Sequence, residues 1–539
     1  MSGGWKLEIS RRLRHIGSTY TDPVAPTARR FRVKPIPHRH HAAGKRKIRR
    51  RLDRPVTAPS PQPVLTARNI QYEAATKTQA ISCGGIGAIH LLVRKLGLAE
   101  AIDARLHLLK VHLPYHESDH LLNFAYNALC SGTCLDDIEL RRNDVVFLDA
   151  LGADRIPDPT TAGDFCRRFT PGDVEILQDV FDQTRLKVWR QQPPDFFDEA
   201  VLDVDGTLVA TDARCKQGVD IAYDGTWGYH PLIISLANTG EVLSLVNRPG
   251  NRPSHEGATE QLDLAILLCR QAGFRRIYLR GDTDFTQTGQ LDAWDAEGVL
   301  FLFGIDAMPN LKDLAADLPA AAWSASQRPP QYVAKGRPRK RPAKLKDQIV
   351  RRRGFETPTR TAEDVAAISY RPTACQRSYR LIIVRQAIAV EKGQARLFDE
   401  IRYRFYLTND REPAARDLVL KANDRCDQEN LIAQLKGGVH ALRAAVDNLV
   451  SNWAYMVMTA LAWSLKAWWA LSMPEHPRHR AAHRAQKRGL LRMEFKRFVA
   501  TIIQMPCQIV RGGHRLVYRL LSWNEWQGVF LRTVQALRC

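Results

Sequence analysis

The chain is short of the devices that staple secreted or zinc-bound proteins. It has ten cysteines in 539 residues, and only Cys130 and Cys134 lie close together. No C-x-x-C pair and no Cys/His run at zinc spacing occurs, which excludes a disulfide framework and argues for reduced thiols in the cytosol. No apolar segment follows the N-terminus, so no signal peptide is expected, although the Arg-rich, acid-poor start shares traits with organellar transit peptides. One stretch, Leu449 to Leu471, is long enough to cross a bilayer and carries a single charge, Lys466. Ser451, Asn452 and Ser464 interrupt it, and Trp453, Trp463, Trp468 and Trp469 are spread along its length rather than gathered at its ends. It is expected to be a buried core helix, with no membrane partner.

Acidic residues are also in deficit: 57 Asp and Glu against 79 Lys and Arg, a formal charge of +22. Apolar content of 45% and charged content of 25% are ordinary for a globular chain, and the length suits several domains. The deficit is local. Residues 1–60 hold 16 basic and 3 acidic residues, and 328–353 hold 11 basic residues and one Asp. The remainder has 52 basic and 53 acidic residues and is close to neutral. Two basic segments on a neutral body suit tethers for a polyanion better than a uniformly basic fold would.

The pattern divides the chain. Residues 1–66 are rich in Arg, Pro and His, lack helical or strand periodicity, and are expected to be a flexible basic arm. Residues 78–195 form a helical region, with Gly84 to Leu98, Ser118 to Leu129 and the segment from Pro171 as helices. From 196 to 310 the period changes. Strands are expected over Glu199–Thr211, Tyr229–Ala237 and Glu241–Val246, the last two joined by a hairpin turn at Asn238-Thr239-Gly240. A helix over Glu256–Ala272, a strand over Arg275–Arg280, a helix over Thr286–Glu297 and a strand over Val299–Ile305 follow. That order gives an α/β class: a mixed sheet flanked by helices. Residues 311–412 combine a basic loop with a separate set of strands, 413–472 are helical, and 473–539 form a basic helical C-terminal region.

Three constellations carry chemistry. In Leu202-Asp203-Val204-Asp205-Gly206-Thr207, residues i and i+2 of a strand share a face, so Asp203 and Asp205 project together. Two carboxylates on an apolar strand are costly unless a cation satisfies them or the strand end is solvated. Arg280-Gly281-Asp282-Thr283-Asp284-Phe285 places Asp282 where a strand ends, the site of ligands in open α/β sheets, or equally of a helix cap. In Arg425-Cys426-Asp427-Gln428-Glu429, continuing to Lys436, a helix puts Arg425, Glu429 and Lys436 within roughly 60° of one face. That face suits a metal ligand between phosphate contacts, or an ordinary solvated row of ion pairs.

Taken together, the order Asp, Asp, Glu resembles the ribonuclease H-like core of the DDE transposases of bacterial insertion sequences, in the group with a β-rich insertion before the Glu. The family signature is Tyr, two residues, Arg, three residues, Glu, six residues, Lys; Arg425, Glu429 and Lys436 match it, and Ala422 stands at the Tyr position. RGDTDF resembles the Arg-x-Asp-x-x-Phe box and selects Asp282 over Asp284; DVDGT resembles the Asp-Gly-Thr box and selects Asp205 over Asp203. ISCGGIGAIHLLVRKLGL, from Ile81 to Leu98, is similar to the start of the shared region.

The resemblance implies a catalytic, metal-binding triad of Asp205, Asp282 and Glu429, with Asp203 and Asp284 beside it. It implies two Mg²⁺ ions, replaceable by Mn²⁺, and in-line displacement at phosphorus. It further implies cleavage and strand transfer at terminal inverted repeats, and a homodimer or larger assembly on paired DNA ends, in the nucleoid of the cytoplasm. Arg425 and Lys436 would hold phosphates. His230 and His255 are expected to be structural or close to DNA, not general bases. Lys335-Gly336-Arg337-Pro338-Arg339-Lys340-Arg341-Pro342 is a basic loop for phosphates, or for the A·T minor groove in the manner of an AT-hook. KRKIRRR at 45–51 reads likewise as a phosphate contact, or as a merely soluble tail. Two other functions share the carboxylates: a catalytically silent, transposase-derived DNA-binding protein, and a ribonuclease H-like structure-specific nuclease.

Overall fold

The computed structural model describes residues 38–53, 70–73, 78–112, 114–326, 357–392, 394–395, 400–512 and 515–538. The chain falls into two compact units, Met1–Ala67 and Arg68–Cys539. Within the first, the expected arm without periodicity is corrected over His38–Leu52, which is a helix. Ala42, Ala43 and a run of Lys and Arg favour helix individually even though no apolar stripe marks one. The KRKIRRR run at 45–51 lies in that helix. The basic loop with Lys335, Arg337, Arg339, Lys340 and Arg341 lies outside the described residues.

The second unit is a mixed α/β body built on a ten-stranded sheet. Its strands include β1 (Glu199–Gly206), β2 (Leu232–Leu236), β3 (Glu241–Val246), β4 (Arg276–Gly281), β5 (Leu300–Ile305), β6 (Thr357–Tyr370), β7 (Tyr379–Lys392) and β8 (Glu400–Thr408). Across the sheet the order of these eight is β6-β7-β8-β5-β4-β1-β2-β3. The pairs β1–β4 and β4–β5 are parallel, and β1–β2, β2–β3 and β5–β8 are antiparallel. The hairpin between β2 and β3 turns at Gly240, whose φ of 71° favours glycine. The helix expected over Thr286–Glu297 is confined to Leu291–Ala296.

The strands of the insertion are not a separate set. β8 pairs with β5 from Phe405↔Ile305 to Thr408↔Leu302, so β6, β7 and β8 extend the same sheet. Edge pairing between segments a hundred residues apart leaves no periodic trace in either segment. A second correction falls in the C-terminal region, where strands Cys507–Gly512 and Arg515–Leu520 pair and Gln79–Ile81 adds a third strand. The alternation of Leu516, Tyr518 and Leu520 with Arg515, Val517 and Arg519 carries that signal.

Helices α2 (Pro171–Trp189), α3 (Ala258–Ala272), α4 (Ala415–Asn423), α5 (Cys426–Gly437) and α6 (Leu449–Leu471) lie against the sheet, and α1 (Glu117–Leu129) packs on α6. α2 starts from a capping box at Thr170 and Asp173, with Pro171 at its first position. α6 is apolar on all sides, as a helix enclosed by protein must be, and lies against α1, α2 and β3. No helix among the described residues is long and apolar enough to cross a membrane.

Lys466 is the one charge in α6. It is buried, its ammonium donates to the Leu491 carbonyl at 2.8 Å, and it sits 3.8 Å from the centre of the Trp463 ring. Burial pulls its pKa down to about 7. The unfolded chain therefore binds more protons than the folded one between pH 7 and the usual lysine range, so this group's contribution makes stability rise with pH there. Lys466→Met is expected to raise stability at pH 7 by ~2 kcal/mol and to flatten that rise, measured by urea denaturation at pH 7 and pH 9. An undiminished slope would place its origin elsewhere.

Candidate active site

Strand register assembles the site. β1 and β4 set Asp203 opposite Arg280, β4 and β5 set Arg280 opposite Leu302, and β5 and β8 set Leu302 opposite Thr408. Two residues along each strand, on the same face, stand Asp205, Gly304 and Tyr406. Asp282 follows the last residue of β4. α4 and α5 lie over this face, α4 against β5, β6 and β7 and α5 against β1.

Asp203 and Asp205 face one way yet do different work. Asp203 is buried and takes Arg280 in a bidentate pair, Oδ1 to Nε at 2.7 Å and Oδ2 to Nη2 at 2.8 Å. Arg280 also donates to the Lys421 carbonyl at 2.7 Å, tying the end of α4 to the sheet. Burial raises the Asp203 pKa, against the pull of Arg280. Asp205, nearer the strand end, keeps a partly open carboxylate.

One guanidinium gathers the triad. Arg425 Nη1 lies 3.1 Å from Asp205 Oδ2, and Nη2 lies 3.8 Å from Asp282 Oδ2 and 3.6 Å from Glu429 Oε1. Residues from β1, from the end of β4 and from α5 thus surround a single positive charge. Burial pushes the Asp205 pKa up to about 6; Arg425 opposes the rise and the nearby Asp282 adds to it. The pKa of Asp282 rises too, mainly through burial, with Asp284 and Glu429 contributing. Expected as a phosphate contact, Arg425 here turns inward to the carboxylates. Lys436 is exposed further along α5, with Asp205 among its electrostatic partners.

Supporting groups fix these positions. The Asp282 Oδ1 accepts from the Asp284 N–H at 3.0 Å, which caps the short turn Thr283–Phe285, while the Asp284 residue is exposed. Gly281 allows the turn because a Cβ there would lie 2.8 Å from the Phe285 Cβ and 3.0 Å from the Phe303 ring. On α5, buried Gln428 donates to the Ile233 carbonyl at 3.2 Å and accepts from the Ser235 hydroxyl. These bonds lock the first turn of α5 to β2 and so set where Glu429 begins. Ser235, Arg280 and Gln428 escaped the sequence pattern; only Arg280 had a signal, as the Arg of its box.

His230 is buried, with Nδ1 bonded to the Arg252 carbonyl at 3.0 Å, and burial lowers its pKa. A Cβ on Gly206 would lie 2.7 Å from its Nε2, so the glycine after Asp205 makes room for this ring. His255 is exposed.

Beside the triad opens a cleft of about 390 Å³, whose walls include Asp282, Asp306, Arg404, Tyr406, Ala422 and Glu429. Among the described residues no group of three or more His, Cys, Asp or Glu is already arranged to hold a metal ion. The donor chemistry of Asp205, Asp282 and Glu429 nonetheless fits a hard cation, since all three offer carboxylate oxygens and the space between them already holds a positive group.

The family model described as "Transposase DDE domain group 1" matches residues 62–538 of this chain. No curated protein matches in sequence. Among solved structures, a cryo-EM structure of the piggyBac transposase synaptic complex with hairpin DNA aligns at a TM-score of 0.32 and 10% identity, covering 78% of this chain and 86% of that chain.

Proposed function

The chain belongs to the transposase DDE domain group 1 family, and from that premise we propose that Asp205, Asp282 and Glu429 form its catalytic centre for cutting and joining DNA. The observation that carries the proposal is the meeting of these three carboxylates, from separate stretches of chain, around one cationic position at the strand ends. The direction and order of β1, β2, β3, β4 and β5 support a ribonuclease H-like core, with the insertion strands added beside β5.

The residues present would hold Mg²⁺ through Asp205, Asp282 and Glu429, with Mn²⁺ as a substitute. Bound there, the metal supplies Lewis acidity and a reactive water or 3′-hydroxyl at neutral pH. The protein's own part is positional. Asp205 and Asp282 are rigid, held by a strand and by a capped turn, whereas Glu429 is more exposed and depends on the Gln428 anchor. Partial burial of the Asp205 and Asp282 carboxylates makes them costly to ionise without a cation, which favours cation binding. Arg425 fills that need in the free protein. A second cation in the same place repels the guanidinium, and a DNA phosphate is the partner to which it would turn, as would Lys436.

The substrates proposed are terminal inverted repeats and target DNA. The basic segments, including the described helix His38–Leu52, would add phosphate contacts, and assembly as a dimer or larger complex would pair two ends. The test uses a duplex carrying the inverted repeats that flank the gene. Nicking at the repeat boundary is expected with Mg²⁺, and loss of nicking with retained binding after chelation. Equal nicking in excess chelator would refute the metal-dependent chemistry.

A further inference from the structure

Ala422 stands where the family signature has Tyr, and its methyl group leaves one wall of the cleft without a hydroxyl or a cation. The sheet brings both from another element. Tyr406 on β8 is the cross-strand neighbour of Gly304 on β5. A Cβ on Gly304 would lie 3.0 Å from the Thr283 nitrogen and 3.2 Å from the Asp282 carbonyl carbon, so the Asp282 turn rests on this same face. Tyr406 therefore shares a face with the triad, two strand spacings, or about 10 Å, from the end of β4. Its ring packs at the edge of the small core of Val365, Ile382, Val384, Leu418 and Val419 beneath α4, which fixes its direction.

Arg404 is two residues back on β8, so it takes the same face one step further out along the cleft. It is exposed, and its side chain has no ion pair or hydrogen bond among the described residues. Asp282, Asp306 and Glu429 make the neighbouring walls acidic, and a nucleic-acid strand entering there needs a cation on the opposite wall. An unpaired guanidinium and a phenol on one rigid strand make a suitable pair of donors for phosphate oxygens.

We propose that β8 supplies a DNA contact on this cleft: Arg404 and Tyr406 bind one phosphodiester of the strand held beside Asp282 and Glu429. The inference rests on the function proposed above and assigns the insertion a direct part in holding substrate. Its test is a cycle between protein and DNA. Tyr406→Phe and Arg404→Gln, both of which keep the packing of β8, are each compared with wild type on inverted-repeat duplexes carrying single methylphosphonates around the boundary. At one phosphate the neutral substitution should weaken wild-type binding about tenfold and weaken Arg404→Gln and Tyr406→Phe by clearly less, because each variant has already lost its own part of that contact. Wild type and both variants losing affinity equally at every phosphate would overturn the proposal. Failure of wild type to bind or nick the unmodified duplex would instead count against the function itself.

Discussion

Replacing Asp205, Asp282 or Glu429 with alanine is expected to slow nicking at the repeat boundary by a thousandfold or more, about 4 kcal/mol of barrier, while binding of the same duplex is retained. The three losses should be similar in size and far from additive. The residues act as one unit around one position, so a double variant should be little worse than the worst single one. The geometry also ranks their effects on the free protein. Asp205, with a pKa of about 6, is costly to ionise, and so the contribution of this group to stability is lost as pH rises through 6. Asp205→Ala removes that cost and is expected to leave the DNA-free protein at least as stable as wild type near pH 7. Glu429 is exposed, so its replacement should leave stability unchanged. Loss of nicking together with loss of fold would mean that the carboxylates are structural. Nicking at wild-type rate in any one variant would remove that residue from the centre.

The second large effect lies far from the cleft. Glu241 opens β3 fully buried, and its carboxylate accepts from Arg185 Nε at 3.1 Å, Trp189 Nε1 at 2.9 Å, Trp468 Nε1 at 2.8 Å and Thr239 Oγ1 at 2.7 Å. Arg185 is equally buried; it donates to the Val242 carbonyl at 2.6 Å and pairs with Asp182. One carboxylate thereby joins α2, α6 and the β2–β3 hairpin. Glu241→Ala is expected to destabilise the protein by about 3–5 kcal/mol, because it takes one of two carboxylates from a buried guanidinium and leaves two indole N–H groups without an acceptor. Glu241→Gln keeps an acceptor in place and should cost less, about 2 kcal/mol. Chemical denaturation of the three proteins measures both. An alanine variant with an unchanged midpoint would show that Arg185 finds another counter-ion. Since β2 anchors α5 through Ser235 and Ile233, the weakened hairpin should also lower cleavage more than it lowers DNA binding.

What could be read without coordinates was whatever is written locally along the chain. Choosing Asp205, Asp282 and Glu429 as the proposed triad took the family resemblance, but the alternation over Leu202–Asp205, the strand ending at Asp282 and the helical spacing of Arg425, Glu429 and Lys436 each follow from the period of a single element and were legible. So was the fate of Leu449–Leu471, because tryptophans and polar side chains spread evenly along an apolar helix suit protein surroundings. Tertiary pairing decided the rest. Nothing within 400–408 announces β5 as its partner, so only the sheet shows that the insertion walls the cleft and that Tyr406 lies in line with Asp205. Both aspartates of DVDGT point one way by strand period alone, and only the packed sheet shows that Asp203 is taken up by Arg280, which reaches it from the neighbouring strand. The guanidinium of Arg425 among three carboxylates has the same origin. Periodicity fixes which residues share a face of one element, whereas a charge finds its partner across elements, and that distance is set only when the chain packs.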